Sequence, residues 1–370
     1  MTDPARPYPD RGPALAKPKL ADVARAANVS PATVSRVLST PQLVRSGTRD
    51  RVLEAIRALG YVPDGAARAL ASRRTSTVGT VVPTLTGAIF ARATHALQTR
   101  LFEAGYHLLV ACHDYDLAIE TEVTRALIER GVDALVLVGC DHAPETFQLI
   151  EQFGVPVLLT WSVNCDGRHP ALGFDNVAAA RRVTRHLLDL GHRSFAVLSG
   201  ETRHNDRARD RIEGVRRELE AAGLSLDDKR IIEQPFSLVG GRTGMRTLLA
   251  LSPRPTAVVC GNDILATGAL LETQAQGLAV PGEISITGFD DTDLASQLPP
   301  GITTVRVPQE EMGRRAAETL LRWLSTGACP QREEIPVDLI LRGSTGVVPG
   351  HKTAQARPTR RSAGAARGVD

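Results

Sequence analysis

From residue 76 to residue 350 the chain alternates short β-branched runs with helical stretches. That rhythm restricts it to parallel sheets built from βαβ units. Strand candidates fall at 77–82, 107–111, 134–138, 157–159, 194–198, 257–260, 285–288 and 337–342. Helical patterns fall at 92–103, 119–130, 177–190, 210–222, 264–276 and 309–325, several followed by a glycine (Gly131, Gly191, Gly223, Gly277) at the place of a left-handed cap. The strand candidates are continuous apolar runs, the pattern of strands covered on both faces. About 275 residues is long for one doubly wound sheet. Two lobes are the natural solution, with a cleft at the carboxyl ends of the strands.

Residues 19–62 read differently, as three short helices. Leu20, Val23, Ala24 and Ala27 recur at helical spacing. Asn28 tolerates the left-handed backbone of a tight turn, and Val29 packs inward. Ser30 is a good N-cap, and Pro31 at the first helical position loses nothing by lacking an N–H. The helix from Pro31 turns Val34, Val37 and Leu38 inward and presents Pro31, Ala32, Thr33, Ser35 and Arg36 outward. A third helix runs from Ser46 through Val52, Leu53, Ile56 and Leu59 to Gly60. Helix, four-residue turn, helix is the geometry that places a second helix in a DNA major groove. There Thr33 and Ser35 suit phosphates, Arg36 suits guanine, and Pro31 and Ala32 suit thymine methyls.

Charge agrees. The net +3 divides into +7 over residues 1–75 (13 Lys and Arg against 6 Asp and Glu), +4 over 351–370 and −8 between them. A basic head on an acidic body is a nucleic-acid footprint. The expected organisation is a disordered tail at 1–18, a helix-turn-helix domain at 19–62, a hinge at 63–75, a two-lobed effector-binding and dimerisation domain at 76–350, and a basic disordered tail at 351–370. The N-terminus lacks the apolar stretch of a signal peptide, and no run approaches the ~20 apolar residues that span a bilayer. The five scattered cysteines lack CxxC or Cys/His spacing, which argues against zinc and a disulfide framework and suits the cytoplasm.

The stretches LADVARAANVSPATVSRVL and TRDRVLEAIRALGYVPDGAARALA, followed by HLLDLGHR, CGNDILATGAL, ISITGFDD and ITTVRVPQEEMGRRAAETLL, resemble the lactose-repressor/galactose-repressor (LacI/GalR) family over residues 19–345. The resemblance implies an N-terminal all-α head and an α/β two-lobed, periplasmic-binding-protein-like (type I) effector domain. It implies a homodimer on a pseudo-palindromic DNA operator, switched by a small-molecule effector. By resemblance, Pro31, Ala32 and Arg36 read bases, residues 64–71 form a hinge helix only on DNA, and Leu70 wedges into the minor groove. Asp64 stands where the family commonly has Asn, and Gly65 lowers helix propensity there by ~1 kcal/mol.

The resemblance also places Arg211 and Asp263 in the effector cleft, with Asn262 adjacent and Phe90, Trp161, Asn205, Arg207 and Phe236 as further candidates. Thr160 replaces an Asp common in sugar-binding relatives. With Arg207, Arg209 and Arg211 close in sequence, a sugar acid joins sugars as an expected ligand class. No dinucleotide fingerprint, Walker A loop, nucleophile elbow or HExxH motif is present, so no enzyme activity and no cofactor is expected. The competing readings are an α/β enzyme and a sugar-transport receptor, which would not need residues 19–71. The final twenty residues lack leucine heptads, so a C-terminal coiled coil is not expected.

Overall fold

A computed structural model describes residues 17–63 and 74–348. Contacts divide the chain into two units, Met1–Thr75 and Ser76–Asp370.

The described part of the first unit holds α1 (Leu20–Ala26), α2 (Pro31–Ser39) and α3 (Ser46–Leu59). The turn between α1 and α2 follows the sequence chemistry. Asn28 is left-handed at φ 54, and the Ser30 hydroxyl accepts the Thr33 N–H at 3.2 Å. Val23, Ala24, Ala27, Val34, Val37, Val52 and Ala55 form a small core. Leu53 and Leu59 are exposed, contrary to an apolar stripe running through them. Leu53 lies about 100° around the helix from Val52, and Ala55 takes the inward place instead.

The second unit holds two six-stranded sheets. The first lobe is built from β1 (Thr77–Val82), β2 (His107–Cys112), β3 (Ala134–Val138), β4 (Val157–Thr160), β5 (Ala171–Gly173) and β11 (Glu333–Glu334), in the order β11-β5-β4-β3-β1-β2. The second is built from β6 (Phe195–Ser199), β7 (Ile231–Glu233), β8 (Ala257–Cys260), β9 (Ser285–Asp290), β10 (Thr303–Arg306) and β12 (Asp338–Ile340), in the order β12-β10-β9-β8-β6-β7. The chain crosses between lobes after β5, after β10 and after β11.

Strands β3, β4, β6 and β8 are buried along their whole length, as continuous apolar runs require. Two features differ from the sequence reading. β12 pairs antiparallel with β10, an edge strand on otherwise parallel sheets. The short strands β5, β7 and β11 carry too few residues for a periodic signal.

Helices cover both sheets: α4 (Ala88–Glu103), α5 (Leu117–Glu129), α6 (Pro144–Phe153), α7 (Asn176–Asp189), α8 (Asp206–Ala221), α9 (Leu238–Leu249), α10 (Asp263–Ala275), α11 (Asp293–Gln297) and α12 (Gln309–Thr326). α9 and α10 pack backbone to backbone through Gly241 and Gly268, where a Cβ on either would strike the facing helix's carbonyl. Leu101, Leu135, Leu158, Phe174, Leu187 and Leu219 are wholly buried, and truncation of one such leucine to alanine costs ~2–5 kcal/mol.

One cysteine pair departs from the expectation drawn from spacing. Cys140 and Cys165 are joined by a disulfide, with their Cα atoms 5.2 Å apart. They lie in the loops after β3 and β4, and sequence separation does not report the distance between neighbouring strand ends. Among the described residues no helix is long and apolar enough to cross a membrane.

Candidate effector cavity and DNA-reading surface

The carboxyl ends of the two sheets face each other across a cavity of about 370 Å³. This is within the range of small-molecule sites. All seven residues singled out for the cleft line it: Phe90, Trp161, Asn205, Arg207, Arg211, Phe236 and Asp263. Their roles differ once their bonds are followed.

Phe90, in the first turn of α4, and Trp161, just past β4, make an edge-to-face pair with centroids 4.9 Å apart. They form an apolar wall on the first lobe. Phe236 supplies the opposite wall and lies against Gly200, where any Cβ would occupy the ring's place. Tyr115, which sequence reasoning missed, reaches across from the first lobe and tilts against Phe236 at 6.1 Å. Tyr115 has φ 62 and Trp161 φ 71, a left-handed backbone that is uncommon for bulky residues and concentrates at functional sites.

Arg211 is the best-anchored cation. Its Nε donates to Asn176 Oδ1 at 3.0 Å, its Nη1 donates to the Gly261 carbonyl at 2.6 Å, and its guanidinium lies 3.7 Å over the Phe289 ring. Asn176 in turn donates to the Trp161 carbonyl at 3.1 Å, so one asparagine positions residues from both walls.

Beside Arg211 stands Asp290, the last residue of β9, which no sequence pattern marks as a site residue. It is 2% exposed, has φ 110, and its Oδ1 has no partner among the described residues. Burial pushes its carboxyl up to about 8; Arg211 pulls it down and Asp263 adds to the rise. An acceptor left open in a buried polar wall carries a desolvation cost that a ligand hydroxyl would relieve.

Asp263 and Asn205 face the cavity with their polar atoms already engaged. Asp263 Oδ1 accepts the Thr304 hydroxyl at 2.6 Å, and its Oδ2 accepts the Thr292 N–H at 2.6 Å and hydroxyl at 3.1 Å. Burial raises this carboxyl to about 6, with those three bonds opposing. Asn205 caps α8 through Ala208 and donates to the Glu201 carbonyl. Asn262 caps α10 through its oxygen, and its amide nitrogen makes no hydrogen bond among the described residues.

The three arginines of the α8 segment do not form one cationic cluster. Arg207 is buried, paired with Asp206 at 2.7 Å, and donates to the Val138 carbonyl. Arg209 lies outside the cavity wall on Asp141. Arg211 faces Asp290, and Arg92 at the cavity rim pairs with Asp293. Thr160 spends its hydroxyl on the Leu137 carbonyl and does not reach the cavity.

On the head, Pro31, Ala32, Ser35 and Arg36 are exposed along α2, and Thr33 is half-buried. The Arg36 guanidinium has no hydrogen bond or ion pair among the described residues. The Ser30 and Thr33 hydroxyls bond each other at 2.9 Å, so the first turn is self-capped. Leu70 and the rest of 64–73 lie outside the described residues.

Comparison with known proteins follows the same division. Residues 19–64 match the family described as bacterial regulatory proteins, lacI family, and residues 184–345 match a periplasmic binding protein-like domain. The catabolite control protein A of Priestia megaterium is 31% identical over 304 residues, covering 82% of this chain and 92% of the relative. The chain belongs to the LacI family. The ribose operon repressor of Haemophilus influenzae is 32% identical over 306 residues, covering 81% of this chain and 90% of its own length. Among solved structures, the lac repressor dimer bound to operator and the anti-inducer ONPF superposes with a TM-score of 0.80 at 25% identity, over 89% of this chain and 99% of that one. This protein is therefore a DNA-binding transcriptional regulator of the LacI family, with the helix-turn-helix head and two-lobed body its sequence implied. Its LacI-family relatives are regulators, not enzymes.

Proposed function

We propose that this LacI-family regulator is a repressor that binds a pseudo-palindromic operator as a homodimer, and that a neutral sugar in the interlobe cavity controls that binding. The open, buried Asp290 acceptor beside Arg211 carries this reading, because a ligand rich in hydroxyls completes it. Arg92 and Arg207 are each already paired with an aspartate, which favours a neutral sugar over a sugar acid. Arg211, Asp290 and the Asn262 amide hold hydroxyls, and Phe90, Trp161 and Phe236 flank the ring. Asp263 and Asn205 shape the wall.

Two of the relatives point the same way by name, one a ribose operon repressor and one a lac repressor dimer on its operator. Exposed apolar side chains beside the unpaired β2 edge, Phe102, Val110 and Ile119, support a dimer surface on the first lobe. A calorimetric screen of neutral sugars and sugar acids tests the ligand class. Tightest binding by a sugar acid would overturn it.

The pH dependence has a definite sign. In the empty cavity Asp290 is protonated below about 8, whereas ligand hydroxyls donate best to the carboxylate. Binding below that value therefore expels a proton. Affinity should climb by up to about tenfold per pH unit toward 8 and then level off. The folded value also lies above the ordinary 3.8, so the stability tied to this group is present below 3.8 and lost as pH rises through about 8. Asp290→Asn should flatten the binding profile and melt above the parent at pH 8. A profile unchanged by the substitution would remove Asp290 from the site.

On DNA, Arg36 pairs with a guanine in each half-site. Ser30, Thr33 and Ser35 lie along phosphates, Pro31 and Ala32 meet thymine methyls, and Leu70 wedges at the operator centre. Arg36→Ala should cost ~1–3 kcal/mol per half-site on the chain's own upstream DNA and little on random DNA. Equal losses on both would make it a phosphate contact.

A further inference from the structure

We propose that Cys140 and Cys165 form a reversible redox site that sets how firmly the two lobes are latched at one side of the cavity. The latch is the loop 139–142 after β3, met by the first turn of α8 from the other lobe. Each contact is specific. Arg207 enters a notch beside Gly139, where any Cβ would occupy the place of its guanidinium, and donates to the Val138 carbonyl at 3.2 Å. The Cys140 N–H donates to Asp206 at 2.9 Å, and Asp141 pairs with Arg209 at 2.8 Å.

The disulfide ties this loop sideways to the segment after β4, which begins with the cavity residue Trp161. Cys140 therefore carries two loads: its backbone holds the second lobe and its sulfur holds the Trp161 segment. Both cysteines are half-buried, within reach of a small thiol. Cys112, Cys260 and Cys329 are free, so the joined pair is the one that stands on the latch.

The chemistry is thiol–disulfide exchange with a low-molecular-weight disulfide, RSSR. The thiolate of one cysteine attacks a sulfur of RSSR, forms a mixed disulfide and releases RS⁻. The thiolate of the other displaces the second RS⁻ and closes the Cys140–Cys165 bond. Two protein thiols are oxidised, and one RSSR is reduced to two RSH. The bond removes conformations in which the loop swings free, which favours the latched arrangement.

The full chain is incubated in oxidised or in reduced glutathione, alkylated and peptide-mapped, with amide hydrogen exchange followed in parallel. A linked Cys140–Cys165 peptide should form in oxidised glutathione. Exchange at 138–142 and 206–209 should then be ~10-fold slower than in the reduced chain. C140S/C165S should give the reduced value in both buffers, and C112S/C329S should respond like the parent. Failure to form the linked peptide, a linked peptide with unchanged exchange, or a persisting response in C140S/C165S would each overturn the proposal.

Discussion

Arg211→Ala should abolish effector binding and lower the unfolding free energy by about 1–3 kcal/mol. The guanidinium is half-buried in the cavity wall. It joins Asn176, the Gly261 carbonyl and the Phe289 face, and it is the cation that faces Asp290. Its removal leaves the Asn176 oxygen and the Gly261 carbonyl without their donor. Arg211→Lys keeps the charge but loses the fork, so it should recover part of the stability and little of the affinity. Urea unfolding and calorimetry separate the two effects. A stable Arg211→Ala variant with parental affinity would mean that this network holds neither the wall nor the ligand.

Gly139→Val is the second large effect. Gly139 has φ 93, a backbone that costs an L-residue roughly 1–2 kcal/mol, and the new side chain takes the space of the Arg207 guanidinium. Arg207 must leave its notch, and with it goes one of the latch contacts between lobes. A ligand that binds the latched form then acts on a smaller population, and its apparent affinity falls in proportion. A 10- to 100-fold loss of effector affinity is expected, on the order of 1.4–2.8 kcal/mol, with an intact fold by circular dichroism. Parental affinity would show that the latch does not govern the cavity.

The fold was legible because its strands and helices are long enough to show their periods. Strands β3, β6 and β8 read directly from apolar runs, and the head read from Asn28, Ser30, Pro31 and the spacing of Val23, Val34 and Val52. The edge strand β12 could not be oriented, since pairing direction is set by where the chain returns rather than by its own residues.

The cavity was legible in membership but not in roles. Arg211 and the aromatic residues came from family resemblance, and the fold brings them together. By sequence Asn205 and Asp263 read as ligand contacts, and in the fold each is bonded within the protein. For Asn205 a signal existed, because an asparagine just ahead of a helix is commonly a cap. Asp290 ends the strand of the ISITGFDD stretch. Its orphaned oxygen arises only where β9 ends beside α8 and α10, which no local pattern contains. Tyr115 and the Cys140–Cys165 pair likewise depend on loops from different strands meeting at one sheet edge. The expected cationic cluster dissolved because Asp206, Asp141 and Asp290 lie next to the three arginines in space, and for two of them far away in sequence.

Control of DNA binding by a ligand in the cavity is measurable by fluorescence anisotropy on the chain's own upstream DNA. The parent and Asp290→Asn are titrated with and without the neutral sugar that binds most tightly in the calorimetric screen. The sugar should weaken operator binding by the parent at least about tenfold, a coupling of typical size. Asp290→Asn should bind the same DNA with parental affinity and respond to the sugar more weakly, without the parent's dependence on pH. A parent that holds its operator equally well with the cavity filled and empty would show that the cavity does not control DNA binding.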